Sequence, residues 1–139
     1  MIRWLLLVLV LLAVDRPAQA EPSFKPRMHL LRACTDGETG MTPIGTAVCA
    51  REGTEAADAR IAALLHKARS PRLGLRTADL TAAQTHWRRY RDLHCDLFDR
   101  EEDGQSGSQT PAEIALCRFD LTLRREAELR WLVYYLGPR

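Results

Sequence analysis

The chain has 139 residues, with 20 Lys or Arg against 18 Asp or Glu and a formal net charge of +2. That is one domain's length, and the near balance excludes the clear basic excess that non-specific nucleic-acid binding needs. No Asn occurs anywhere, so N-linked glycosylation has no acceptor.

The first element is a leader. Arg3 precedes an apolar stretch from Trp4 to Val14, and Ala18-Gln19-Ala20 gives the small-x-small pattern that signal peptidase reads. An apolar run of about ten residues falls short of the roughly 20 that a membrane-spanning helix needs. Cleavage after Ala20 is therefore expected. It would leave about 119 residues as a single domain, 21–139, and removing Arg3, Asp15 and Arg16 lowers the net charge to about +1. No second long apolar run follows and no Cys stands at the cleavage point. The expected product is periplasmic or secreted, without a transmembrane segment or lipid anchor. In such an oxidising compartment Cys34, Cys49, Cys95 and Cys117 read as a disulfide framework.

Glu21 to Gly45 holds Pro22, Pro26, Gly37, Gly40, Pro43 and Gly45 without a sustained period. It reads as an irregular arm that Cys34 ties down. A first helix is expected from near Thr46 to about Arg69, its buried stripe being Ala57, Ile61, Leu64, Leu65 and Ala68. Gly53 weakens it by about 1 kcal/mol relative to Ala. Ser70-Pro71 and Gly74 end it.

A second helix is expected from Thr77, as a capping residue, to roughly Phe98. Leu80, Gln84, Trp87, Arg91 and Cys95 recur at helical spacing and share one face. Asp99 to Gln109 is a polar loop. Thr110-Pro111-Ala112-Glu113 then has the form of a capping box with Pro at the first helical position. Ile114, Cys117, Leu121 and Glu128, with Leu116, Phe119, Leu123, Leu129 and Leu132 on neighbouring faces, carry a third helix to about Tyr135. Gly137-Pro138 stops it.

Helices joined by a short loop lie antiparallel, so Cys95 and Cys117 can face each other across the hairpin. Of the three possible pairings, Cys95–Cys117 with Cys34–Cys49 is the one expected. The fold class expected is all-α: an arm pinned by one bridge, one helix, and a helical hairpin closed by the second. Ile61, Leu64, Leu65, Leu80, Trp87 and Leu121 form its expected core.

Leu80-x-x-Ala83-Gln84-x-x-Trp87-x-x-Tyr90-Arg91-Asp92-x-x-Cys95 resembles the central motif of the lysozyme-inhibitor LprI-like domain family. Cys117-x-x-x-Leu121-Thr122-x-x-Arg125-x-x-x-Leu129 is similar to its closing motif, and Cys49 followed by Ala57-Asp58 and Ile61 resembles its first helix. Together these cover roughly Cys34 to Leu129. The first helix departs from the pattern, with Ala62 where the family commonly has Asn and Leu65 where it commonly has an aromatic. The resemblance implies a small disulfide-stapled helical domain of the bacterial envelope. It also adds Tyr90, Asp92 and Arg125 to Gln84, Trp87 and Arg91 as a candidate structural motif.

Catalytic and metal chemistry find no foothold. His29, His66, His86 and His94 lack HExxH spacing, no CxxC pair exists, and Gly104-Gln105-Ser106-Gly107-Ser108 is not a nucleophile elbow. No metal, cofactor or enzymatic activity is expected. A buried Arg91 must be paired, with Asp58, Asp120 or Glu128 as candidate partners. Such a pair would fix helix register, and the sharper alternative is a polar pocket for a ligand or partner. Trp131, Tyr134 and Tyr135 are expected to close the end of the bundle rather than serve as exposed anchors. Asp96, Asp99, Glu101, Glu102 and Asp103 form an acidic run. It is either a solvated turn or, with Asp99, Glu101, Glu102 and Asp103 as its binding residues, a loop that meets a basic partner such as lysozyme. The function expected is non-enzymatic protein binding, with lysozyme inhibition leading. The alternative is a structural or regulatory periplasmic module with another envelope partner.

Overall fold

A computed structural model describes residues 24–99, 107 and 109–137. Four helices account for most of them, in the order α1 (Met28–Asp36), α2 (Pro43–Ala68), α3 (Thr77–Asp96) and α4 (Thr110–Leu136). Short 3-10 turns occupy Glu38–Met41 and Pro71–Leu73, and no strand occurs among the described residues. The leader expected at 1–20 lies outside them.

The arm is more ordered than the sequence indicates. Met28–Asp36 is helical although no side chain caps its start, and nine residues are too few to hold a helix by propensity alone. Packing supplies the difference. Cys34 is buried, and Leu30 and Leu31 pack against the same cluster of Ala47, Ala50, Ala115 and Phe119. Gly40 lets the 3-10 turn fold back onto α1, because a Cβ there would run into the Thr35 carbonyl.

Helix α2 starts at Pro43, three residues before the expected Thr46. Thr42 is its cap, accepting a hydrogen bond from the Gly45 N–H at 3.0 Å, and Pro43 follows in the first turn. Gly74, at φ 65°, makes the left-handed turn that leads toward α3. The other two starts differ from expectation. Thr77 and Thr110 are both inside their helices, and the N-caps are Arg76 and Gln109, neither with a side-chain capping bond.

Three helices form the bundle. Gly53 meets Phe119, and Arg60 bonds Glu126, so α2 and α4 advance together and run parallel. Arg91 reaches back to Asp58 and forward to Thr122, while Cys95 bonds Cys117. These pairs set α3 antiparallel to both. The α2–α4 contact is the most extensive in the molecule. Its seam alternates in steps of three and four on α4, through Ala112, Ala115, Phe119, Thr122, Glu126 and Leu129, and takes steps of three, four or seven on α2, through Ala47, Ala50, Ala57, Ile61 and Ala68, all buried. Small side chains on α2 let the two backbones approach.

The expected core is right for Ile61 and Leu80, while Leu64, Leu65, Trp87 and Leu121 are only partly buried. On α4 the stripe through Ile114, Leu121 and Glu128 is not the buried one. The true seam is masked because it is built of Ala, Thr and Glu as much as of Leu and Phe.

Gly53 has a packing role as well as a propensity cost. A Cβ there would collide with the ring of Phe119, itself 2 % exposed and unable to move aside freely. Gly53→Ala should therefore lower stability despite the better helix former. Overpacking costs about 1–3 kcal/mol against a helix gain of about 1 kcal/mol. An upward shift of the urea midpoint would contradict this.

Both disulfides have the expected pairing. Cys34–Cys49 ties α1 to the second turn of α2 with Cα atoms 5.5 Å apart, and Cys95–Cys117 closes the α3–α4 hairpin at 5.6 Å.

Candidate functional site

The inner face of α3 mixes apolar Leu80, Trp87 and Cys95 with Gln84 and Arg91, which carry a polar network. Arg91 is 9 % exposed. Its Nη1 donates to Asp58 Oδ2 at 3.2 Å and to Thr122 Oγ1 at 3.1 Å, and its Nε donates to Asp92 Oδ1 at 3.0 Å. Thr122 passes its own proton to the Arg118 carbonyl at 2.6 Å. Trp87 lies beneath two guanidinium groups, with Arg91 at 5.2 Å and Arg125 at 5.9 Å from the ring centroid. Arg125 also donates through Nε to Gln84 Oε1 at 3.2 Å and through Nη1 to Glu128 at 3.1 Å.

Of the three carboxylates foreseen for Arg91, only Asp58 is its partner. Glu128 serves Arg125, and Asp120 accepts from Arg124 Nε at 2.9 Å. That hydrogen bond and the Asp120 charge raise the Arg124 pKa above its ordinary value. Gln84, Trp87, Arg91 and Arg125 are thus brought together, with Asp92 at the edge. Tyr90 is not among them: it points outward and stacks on His94 with ring centroids 5.4 Å apart.

Sequence reasoning missed a second buried charge. Glu126 is 1 % exposed and is ringed by Arg60 at 3.0 Å, Arg27 at 3.4 Å and Arg130 at 3.8 Å. Arg130 also donates to the Lys25 carbonyl at 3.0 Å, so the segment before α1 is fastened to α4 through arginines. The three-and-four spacing from Ala112 through Phe119 to Leu129 was the signal that places Glu126 inside.

The outer face of α3 is unusual for the opposite reason. Tyr90, Leu93 and Leu97 are 53 %, 60 % and 72 % exposed, and Phe98 follows just past the helix end. Their spacing aligns them on one ridge, held at its base by buried Cys95. Asp96, bonded to Arg118 at 2.6 Å, and exposed Asp99 lie at the ridge end. Asp99 also borders an open cleft of about 740 Å³ shared with Arg51, Glu55 and Arg118. Glu101, Glu102 and Asp103 lie outside the described residues.

The model of the lysozyme inhibitor LprI family matches residues 34–129. The chain belongs to the LprI family. No curated protein and no solved structure matches it. The matched span runs from the first disulfide cysteine to Leu129, so both bridges, the Arg91 network and Glu126 all fall within the family domain. It omits the last turns of α4, where Trp131, Tyr134 and Tyr135 are about half exposed. These aromatics do not seal the bundle end as expected. Trp131 stacks on Tyr135 at 5.0 Å, and Tyr134 meets Phe24 at 5.2 Å.

Among the described residues no group of three or more His, Cys, Asp or Glu is placed to hold a metal ion, and no helix is long and apolar enough to cross a membrane. What the arrangement offers is two inward-facing charge networks that brace the bundle and exposed apolar side chains on its surface, the α3 ridge among them.

Proposed function

We propose that the chain is an exported, non-enzymatic inhibitor that binds lysozyme and covers its substrate cleft or rim. The observation that carries this reading is the ridge of Tyr90, Leu93, Leu97 and Phe98 along α3 and just past its end. Large apolar side chains aligned on one exposed helix face mark an interaction surface, and a convex ridge suits a concave partner. In sequence the segment from Asp96 to Asp103 carries five carboxylates and one Arg. That charge complements a basic lysozyme, with Asp99, Glu101, Glu102 and Asp103 speeding encounter. Leader cleavage after Ala20 would deliver the chain to the compartment where its two disulfides can form.

The test is lysis of bacterial cell walls by lysozyme, with the oxidised, leader-free protein titrated in at low and physiological salt. Near-stoichiometric inhibition is expected. The pair Leu93→Asp with Leu97→Asp should weaken it at least about tenfold, as loss of central apolar contacts does. Both sites are exposed, so the helical circular dichroism should stay unchanged. Neutralising Glu101, Glu102 and Asp103 should slow association at low salt only. If no lysozyme type is inhibited, the reading is wrong, and the ridge serves a structural or regulatory module with a different envelope partner.

A further inference from the structure

A cleft of about 280 Å³ lies between the end of α2 and residues 80–88 of α3. Ala62, Leu65 and Leu80 give it apolar walls, Gln84 lies at its base, and Arg69 and Arg88 stand at its mouth. Gln84 is 6 % exposed. Its Oε1 accepts from Arg125, which fixes the orientation of the amide, because an arginine can only donate. The Nε2 donor is therefore the atom left over, and it is buried without a hydrogen-bond partner. A buried donor in that state costs stability and calls for an acceptor.

The rest of the lining has the same bias. Thr81 and Thr85 donate their hydroxyl protons to the carbonyls of Thr77 and Thr81 at 2.9 Å, and neither hydroxyl oxygen accepts from Gln84 Nε2. No carboxylate lines the cleft. Neither Arg69 nor Arg88 forms an ion pair among the described residues, unlike Arg60, Arg91, Arg118, Arg124 and Arg125. Two guanidinium groups without an ion pair among the described residues, above one unpartnered amide donor, bias the site toward an anion.

We propose that this cleft binds a carboxylate attached to a small apolar body. One carboxylate oxygen takes the Gln84 Nε2 proton, the guanidinium groups of Arg69 and Arg88 bracket the charge, and the apolar part rests on Leu65, Leu80 and Ala62. A free short-chain acid and the C-terminal carboxylate of a peptide share this chemistry.

Both sources can be probed by NMR on the oxidised protein, following the Gln84 side-chain amide resonances. The probes are propionate, the dipeptide Ala-Ala and its C-terminally amidated form. Saturable millimolar shifts are expected with propionate, with Ala-Ala, or with both. The tighter of the two identifies the source. Arg69→Ala and Arg88→Ala, both at exposed sites that leave the fold intact, should each weaken binding roughly tenfold, as loss of a charge-assisted contact does. Three results overturn the proposal: no saturable shift with either acid, equal shifts from the amidated dipeptide, or binding unaffected by both arginine replacements.

Discussion

Glu126→Ala should cost the folded state about 3 kcal/mol, the low end of the range for breaking a buried ion pair. Glu126 sits in the α2–α4 seam at 1 % exposure, and three arginines from three different segments converge on it. Removing it leaves a cavity in the longest contact of the bundle and deprives Arg60, Arg27 and Arg130 of their common acceptor. The low end applies because the cations are not themselves sealed in. Arg27 is 43 % exposed and can turn out to water, which the carboxylate cannot. The converse change is informative. Arg60→Ala removes the closest partner, whose Nε and Nη2 both lie 3.0 Å from Glu126 Oε2, while two cations remain near the charge. It should therefore cost less than Glu126→Ala. Urea titrations of both variants check this. A loss below about 1 kcal/mol for Glu126→Ala would mean that the arginines do not share a desolvated charge.

Reduction of the two disulfides should have a larger effect still. The bridges span 15 and 22 residues, and each contributes roughly 3 kcal/mol in the chain-entropy account. Against a typical net stability of about 5–15 kcal/mol, losing both removes most of the margin. Each should lower the melting temperature by on the order of 10–20 °C for a domain of this size. Their local consequences differ. Without Cys34–Cys49, α1 is held chiefly by Leu30 and Leu31 and by the Arg27–Glu126 pair at its start, so its amides should exchange faster while those of α2 near Ala57 and Ile61 remain protected. Without Cys95–Cys117 it is the end of α3, with Leu93 and Leu97, that should lose protection. Hydrogen exchange on Cys34→Ala/Cys49→Ala and on Cys95→Ala/Cys117→Ala separates the two cases. Equal loosening of both regions in either variant would contradict this division.

Much of this architecture is legible in the residues. Leu80, Gln84, Trp87, Arg91 and Cys95 do share the inner face of α3, and the short span from Cys95 to Cys117 is enough to imply the hairpin and its bridge. That Arg91 takes a carboxylate partner is also readable, but the sequence leaves Asp58, Asp120 and Glu128 open, and only the packing selects Asp58. Three features are hidden for physical reasons. Helix α1 exists because Cys34, Leu30 and Leu31 are packed from outside, and no local period betrays that. The buried face of α4 contains Ala112, Ala115, Thr122 and Glu126, so a search for the most apolar stripe selects the wrong side. The exposed ridge is hard to see because Tyr90, Leu93 and Leu97 look like core residues until Arg91 and Gln84 are shown to occupy the inside. In the second half of α3, Arg91 is buried while Leu93 is exposed.

The parallel arrangement of α2 and α4 also bears on the order of assembly. Arg60 and Glu126 are 66 residues apart in sequence, and Gly53 and Phe119 stand at the same offset. No local turn can bring such partners together, so the largest contact of the molecule has a high contact order for a helical domain. The α3–α4 hairpin closes over only 22 residues at Cys95–Cys117. Oxidation of that pair shortens the path that α4 must search before it meets α2. An oxidant that acts early in the chain's life would therefore set the pace at which the α2–α4 seam closes.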